Sequence, residues 1–264
     1  MGTSWSSSYR PAGSSPYGKG DHRPNFSKGQ FSDRELGDAR NKLPSWFAKP
    51  RVITREEWRA PRKLSRRGSN IRDHRIVNIV IHNTGSSSSV GTRNAAPGYL
   101  RGIENYHEAK RFGGIGYRAL IGVDGDLYEG FRGLGQEKGD ALERGFASSN
   151  VKGLNAGSYG IAMIGDYEHK DRFEIDSPAG RKLIDTIVYV ATRDGRCKFW
   201  LDQWGRIQIK IPNIIGHGQA RGAHTDCPGR FILLKMGDIK KAVSDRIKGV
   251  IERELIVSKR GAYS

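Results

Sequence analysis

From Val52 onward the apolar positions gather into short β-branched runs, separated by stretches of helical period and by glycine-rich polar loops. The run Ile76-Val-Asn-Ile-Val-Ile81 suits a buried strand and ends at His82-Asn83-Thr84-Gly85. After a Ser/Gly/Asn loop, Leu100, Ile103 and Tyr106–His107 recur at helical spacing, predicting a helix over Ala96–Lys110. Tyr117–Ile121 and Leu127–Glu129 read as strands joined by a turn at Asp124-Gly125. Gly133–Ala156 has no period and reads as a long surface loop, followed by a buried strand over Tyr159–Gly165. Pro178 opens a predicted helix to Asp194 whose apolar face carries Leu183, Ile184, Ile187 and Val188. Ile207–Ile211 and Ile214–Ile215 predict a last strand broken by Pro212. A Gly-rich loop, Gly216–Arg230, comes next, then a terminal helix from Phe231 or Gly237 to Val257. Strands alternating with helices predict an α/β fold, a mixed central β-sheet flanked by helices.

Residues 1–50 look different. They are rich in Ser, Gly, Pro and Asn and hold no sustained period, so they read as a flexible, basic N-terminal tail. Within it Asp33–Leu43 could form a short polar helix, and Trp46 and Phe47 could pack the tail against the domain.

Charge narrows the partners. The 264 residues carry 45 Lys and Arg against 28 Asp and Glu, a net +17, which calls for a polyanionic neighbour such as nucleic acid, an anionic membrane or acidic wall polymers. Between Arg51 and Arg75 nine Lys/Arg face three acidic residues, a local +6, but no stacking aromatics at useful spacing accompany them. No run approaches the roughly 18–20 consecutive apolar residues of a membrane helix. Met1–Tyr17 has no apolar core of a secretory signal. The amphipathic segment Lys240–Ile251 is expected to pack on the domain rather than enter a membrane. Two cysteines, Cys197 and Cys227, make no disulfide framework, and Cys197 is expected to be a free thiol.

Three metal-competent side chains stand at strand ends or in Gly-rich loops: His82, His217 in Ile215-Gly-His-Gly218, and Cys227 in Thr225-Asp-Cys-Pro-Gly229. Two imidazoles and a thiolate are good zinc ligands, and three protein ligands leave the fourth tetrahedral position open for chemistry. Each residue alone has a plain structural reading as well, a hydrogen-bonded strand-end histidine or a turn cysteine.

Together, Ile79-Val-Ile-His-Asn-Thr84, Phe112-Gly-Gly-Ile-Gly-Tyr-Arg-Ala-Leu-Ile-Gly122 and Thr225-Asp-Cys-Pro-Gly229 resemble the zinc N-acetylmuramoyl-L-alanine amidases. That type-2 superfamily includes phage and bacterial amidases and peptidoglycan recognition proteins. Val52-Ile-Thr-Arg-Glu-Glu-Trp58 resembles its opening strand and Tyr159–Gly165 its central strand, in the same order along the chain. The resemblance implies Zn2+ held by His82, His217 and Cys227. It implies catalytic roles beside the metal for Tyr117, in the Gly-Tyr motif, and for Thr225, two residues before the cysteine. It also assigns His107, Asn83 and Thr84 to the substrate side. The expected layout is a tail over 1–50, a zinc amidase domain over 51–235, and a C-terminal helix packing on it with a short tail over 236–264.

Two departures accompany the resemblance. The His217–Cys227 interval is ten residues, longer than in many relatives, and leaves His224 as a competitor for the second ligand position. Many relatives carry a Gly-Ala-His segment near Gly145-Phe-Ala-Ser-Ser149, where no matching histidine stands. The expected function is hydrolysis of the amide between N-acetylmuramic acid and L-alanine in peptidoglycan, as a lysin or a delivered wall-degrading effector. Recognition proteins that bind without cutting commonly lack the third ligand, so Cys227 favours an enzyme. A non-catalytic wall-binding module and a nucleic-acid-binding protein on this scaffold are the rival expectations. Peptidoglycan is the expected partner, with anionic wall polymers beside it. Residues 1–50 are the candidate tether to a phage particle or injection machine, because the expected route is cytoplasmic synthesis and release to the wall or periplasm without a signal peptide.

Overall fold

Consecutive β-branched residues, Ile79, Val80 and Ile81, give β1 (Asn78–Asn83) apolar side chains on both faces, and that strand takes an interior place in the main sheet. The computed structural model describes residue 26 and residues 30–61, 76–132, 142, 148–193 and 197–261. With β2 (Ala119–Ile121), β3 (Leu127–Glu129), β4 (Ser158–Met163) and β7 (Asn213–Gly216), β1 forms a five-stranded sheet ordered β3-β2-β4-β1-β7. β1 runs parallel to β4 and β7, β2 parallel to β4, and β3 antiparallel to β2 across the turn at Gly125, whose φ of +78° suits glycine. The mixed α/β architecture is as expected.

Each face of the sheet has its own layer. Ile79, Ile81, Ile121, Ile161, Met163 and Ile214 share one core with α3 (Pro178–Thr192) and α5 (Met236–Gly261). Ile239, Val243, Ile247, Ile251 and Leu255 recur every fourth residue along α5 and are all buried, which accounts for a 26-residue helix docked along one stripe. Leu120, Ala162 and Ile164 pack on the other face with Trp58 and with Ala96 and Leu100 of α2 (Ala96–Ala109).

Two expectations change. Ile207–Ile211 and Ile214–Ile215 are not one strand interrupted by proline. The former supplies β6 (Ile207–Lys210), which pairs antiparallel with β5 (Lys198–Leu201) in a separate two-stranded sheet, and the chain crosses to the main sheet as β7 after Pro212. Proline, with no N–H for a ladder, suits that crossing. The end of the expected tail is folded onto the body. α1 (Asp33–Lys42) is capped reciprocally by Ser32 and Glu35, and Phe26, Phe31, Leu36, Ala39, Leu43 and Phe47 join the α3/α5 core. Arg40 Nε donates to the Phe199 carbonyl at 2.9 Å, and Lys259 pairs with Glu35 at 2.8 Å. The rest of 1–50, the basic segment 62–75 and most of 133–147 lie outside the described residues.

One buried ion pair fixes α2 against the sheet edge. Both terminal nitrogens of Arg55 reach the Glu104 carboxylate, its Nη1 also donates to the Gly130 carbonyl at 3.0 Å, and its backbone N–H donates to Glu129 at 2.8 Å. Arg55 is 4% and Glu104 1% exposed. Arg55→Met would leave that carboxylate buried without its cation. It should lower unfolding free energy by about 3–5 kcal/mol in chemical denaturation, whereas Arg93→Met, breaking an exposed pair with Asp126, should lower it by less than about 1 kcal/mol.

Candidate metal centre

The geometry of the centre begins with strand register. Side chains alternate along β1, so His82 projects to the face of Val80, away from the α3/α5 core that takes Ile79 and Ile81. β1 and β7 pair through Ile81↔Gly216, and the next residue on each strand is His82 and His217. Their ring centroids lie 4.6 Å apart, inclined at 55°.

Cys227 returns to the same place through a loop closed at its base. Gly218 N–H donates to the Cys227 carbonyl at 2.6 Å. The Pro228 ring lies so close to Gly216 that a Cβ there would stand 2.6 Å from Pro228 Cδ. Cys227 Sγ accepts from the Asn83 N–H at 3.4 Å and lies 3.6 Å from His82 Nδ1. One ligand atom from each of His82, His217 and Cys227 falls within 4.8 Å of the others. Among the described residues His224 is not part of this cluster.

The protonation states suit a cation. Burial, and secondarily the neighbouring His217, push His82 down to about 3, and burial pushes His217 below its ordinary value. Both rings are therefore neutral at pH 7 and keep a lone pair for a metal. Burial raises the Cys227 thiol to about 11, opposed by the Asn83 N–H. A divalent ion would supply the charge that ionises the sulfur. This donor set fits zinc.

Around the cluster runs a chain of rings. Tyr117 lies 4.9 Å from His82 and 5.7 Å from His107, and His107 lies 5.2 Å from the half-exposed Phe112. Burial, Cys227 and Tyr99 all raise the Tyr117 phenol, which is a proton donor at any physiological pH. His107 Nδ1 accepts from the Gly116 N–H at 3.0 Å, so the neutral ring carries its proton on Nε2. Thr225 Oγ1 accepts the Cys227 N–H at 3.2 Å. Asn83 bears on the site through its backbone N–H, and the Thr84 hydroxyl accepts from Gly165 N–H at 3.2 Å, tying the end of β1 to the end of β4. Cys197 is a buried free thiol remote from this group, raised to about 12 by burial. Sequence reasoning did not single out Tyr99, whose phenol donates to Ser86 Oγ at 2.7 Å beside Tyr117, because on α2 it reads as one more core-facing ring.

The family model for N-acetylmuramoyl-L-alanine amidases matches residues 72–230, more than half of the chain. The chain belongs to that family. Relatives of this amidase-family chain include a peptidoglycan-recognition protein of Drosophila simulans, 30% identical over 159 residues, 59% of this chain and 69% of the relative. Peptidoglycan recognition protein 3 of Homo sapiens is 30% identical over 140 residues, 53% of this chain but 36% of the relative. The solved structure of bumblebee peptidoglycan recognition protein SA superposes with a TM-score of 0.51 at 23% identity, covering 72% of this chain and 95% of that one. Peptidoglycan recognition protein LE, solved with a monomeric diaminopimelic acid-type peptidoglycan, superposes at 0.50 with 21% identity, covering 70% and 92%. These superpositions establish the shared fold. Family membership ties the chain to peptidoglycan, through binding or through amidase activity. Among the described residues no helix is long and apolar enough to cross a membrane.

The close approach at Gly216 generates a prediction. Gly216→Ala should push Pro228 and Leu233 away from β7, lowering stability by about 1–3 kcal/mol in thermal or urea melts and weakening zinc binding in a competition titration. Gly237→Ala, with open space around its Cβ near the start of α5, should leave zinc binding unchanged and stabilise by up to about 1 kcal/mol.

Proposed function

We propose that this chain hydrolyses the amide bond between the lactyl group of N-acetylmuramic acid and the L-alanine of the peptidoglycan stem peptide, with zinc held by His82, His217 and Cys227. The convergence of these three side chains within 4.8 Å, with the sulfur ligand present, is the observation that carries the reading. Bound there, zinc would polarise the scissile carbonyl and lower the pKa of a water to about 7.

The chain's own residues supply the rest. The Tyr117 phenol, held protonated beside His82, donates to the carbonyl oxygen as negative charge develops on it. His107, immobilised by Gly116 and flanked by Phe112, presents a neutral Nε2–H toward the substrate side, and the exposed ring of Tyr106 extends the same surface. Thr225 holds the turn that delivers Cys227, and its hydroxyl keeps a proton to donate to substrate. The net +17 favours approach to anionic wall polymers around the cleavable peptide.

A second reading is a module that binds muropeptides and retains the metal without turnover, supported by the recognition proteins among the relatives. One digestion separates the two. Zinc-loaded protein incubated with a muropeptide should release free stem peptide, detected by mass spectrometry, and chelator-stripped protein should not. Binding with an unchanged muropeptide in the presence of zinc would select the second reading.

Tyr117→Phe should retain zinc and fold while kcat falls by about 100- to 1,000-fold, the range observed when one oxyanion donor is removed. An unchanged kcat would assign the ring a packing role only.

A further inference from the structure

His82 has two ring nitrogens, and only one of them faces the cluster. Nδ1 lies 3.6 Å from Cys227 Sγ. Nε2 points the other way, into a place without water access, where it makes no hydrogen bond of ordinary geometry. A buried polar atom in that condition loses its hydration with nothing to replace it. The Oδ1 atom of Asn150 is buried and unpartnered as well.

Asn150 is held where it can answer that need. Its Nδ2 donates to the Ser148 carbonyl at 3.1 Å and to Ser148 Oγ at 3.2 Å, so the amide cannot be turned end for end without setting oxygen against a carbonyl. Gly160 of β4 gives it room: a Cβ there would stand 2.8 Å from Asn150 Cβ and 3.2 Å from its Oδ1. Gly160 is opposite Val80, and Ala162 opposite His82, so the carboxamide rests on the sheet face from which His82 projects. The Asn150 side chain lies beside the His82 imidazole.

We propose that Asn150 is a positioning residue for the metal centre: its Oδ1 accepts a hydrogen bond from His82 Nε2–H and so fixes the tautomer whose Nδ1 lone pair faces the ion. The inference rests on the zinc reading above for its functional meaning, but the tautomer itself exists with or without metal. A metal-ligating histidine whose second nitrogen is bonded in this way is oriented and made a stronger donor, and loss of such a partner typically weakens metal binding 10- to 100-fold. The residue comes from the segment that had read as a featureless surface loop, near the place where no histidine matches that of many relatives.

The test uses the full chain. In metal-free protein, 15N-detected NMR of the His82 ring should show the proton on Nε2. Asn150→Leu, similar in size but without the acceptor, should give a mixture of tautomers and a zinc dissociation constant raised 10- to 100-fold in a chelator competition. Asn150→Gln keeps both the acceptor and the donor on a side chain one methylene longer and should bring both readings part of the way back toward the parent chain. A parent protein with the proton on Nδ1, or an Asn150→Leu variant with the parent's tautomer and affinity, overturns the proposal. If Asn150→Leu does not fold, the parent's tautomer and the Asn150→Gln variant decide. If the parent binds no zinc, the zinc reading fails while the NMR measurement still decides the hydrogen bond.

Discussion

The parallel pairing of β1 with β7 is the constraint on which the rest of the centre depends. Because successive side chains on a strand face opposite ways, the register Val80↔Ile215, Ile81↔Gly216 puts His82 and His217 side by side beyond the last paired residues. A slip of one residue in β1 would bury His82 among α3 and α5 and aim Ile81 at the sulfur. What opposes that slip is the apolar layer on the far face, where Ile79, Ile81, Ile161 and Met163 lock against two long helices. The geometry of the candidate centre is thus held by core packing, the stiffest part of the molecule, rather than by the loops that carry two of its three side chains.

Charge is distributed to match. Two ion pairs of the interior lie on the β3 side, Arg55 with Glu104 and Arg132 with Glu129. The cluster itself is built from two neutral rings and a protonated thiol, with one backbone N–H turned toward the sulfur. Buried ligands that are neutral by themselves carry no desolvation penalty of buried charge, and a bound cation would supply the charge that ionises the sulfur.

How much of this was legible varies with the physics behind each element. β1, β4 and α3 were legible because burial on one or both faces demands uninterrupted or periodic apolar runs, and a helix opening at Pro178 leaves a local mark. His82 and Cys227 were legible because each sits at a punctuated strand end or beside Pro-Gly. The division of Ile207–Ile215 between two sheets was not, since both halves are equally β-branched and only the partner β5, with its alternating Lys198-Phe-Trp-Leu201, distinguishes them. α1 was legible as a short polar helix over Asp33–Leu43, but its docking was not: its few apolar residues meet a stripe of α5 more than two hundred residues away. Asn150 left no trace at all in the sequence, because its place is defined by the absence of a side chain at Gly160 on another strand.

Binding a muropeptide and cutting it make different demands on one groove. Affinity needs surface, and the exposed rings of Tyr106 and Phe112 offer it independently of a metal. Cleavage needs an ion that stays, and ligands must give up their protons to hold one. A serine hydroxyl at position 227 would lose its proton far less readily than the thiol, even with the Asn83 N–H directed at it. Cysteine there, beside two imidazoles kept neutral by burial, is a choice of residue that surface affinity alone gives no reason for, and it is on that asymmetry that the cleaving reading rests.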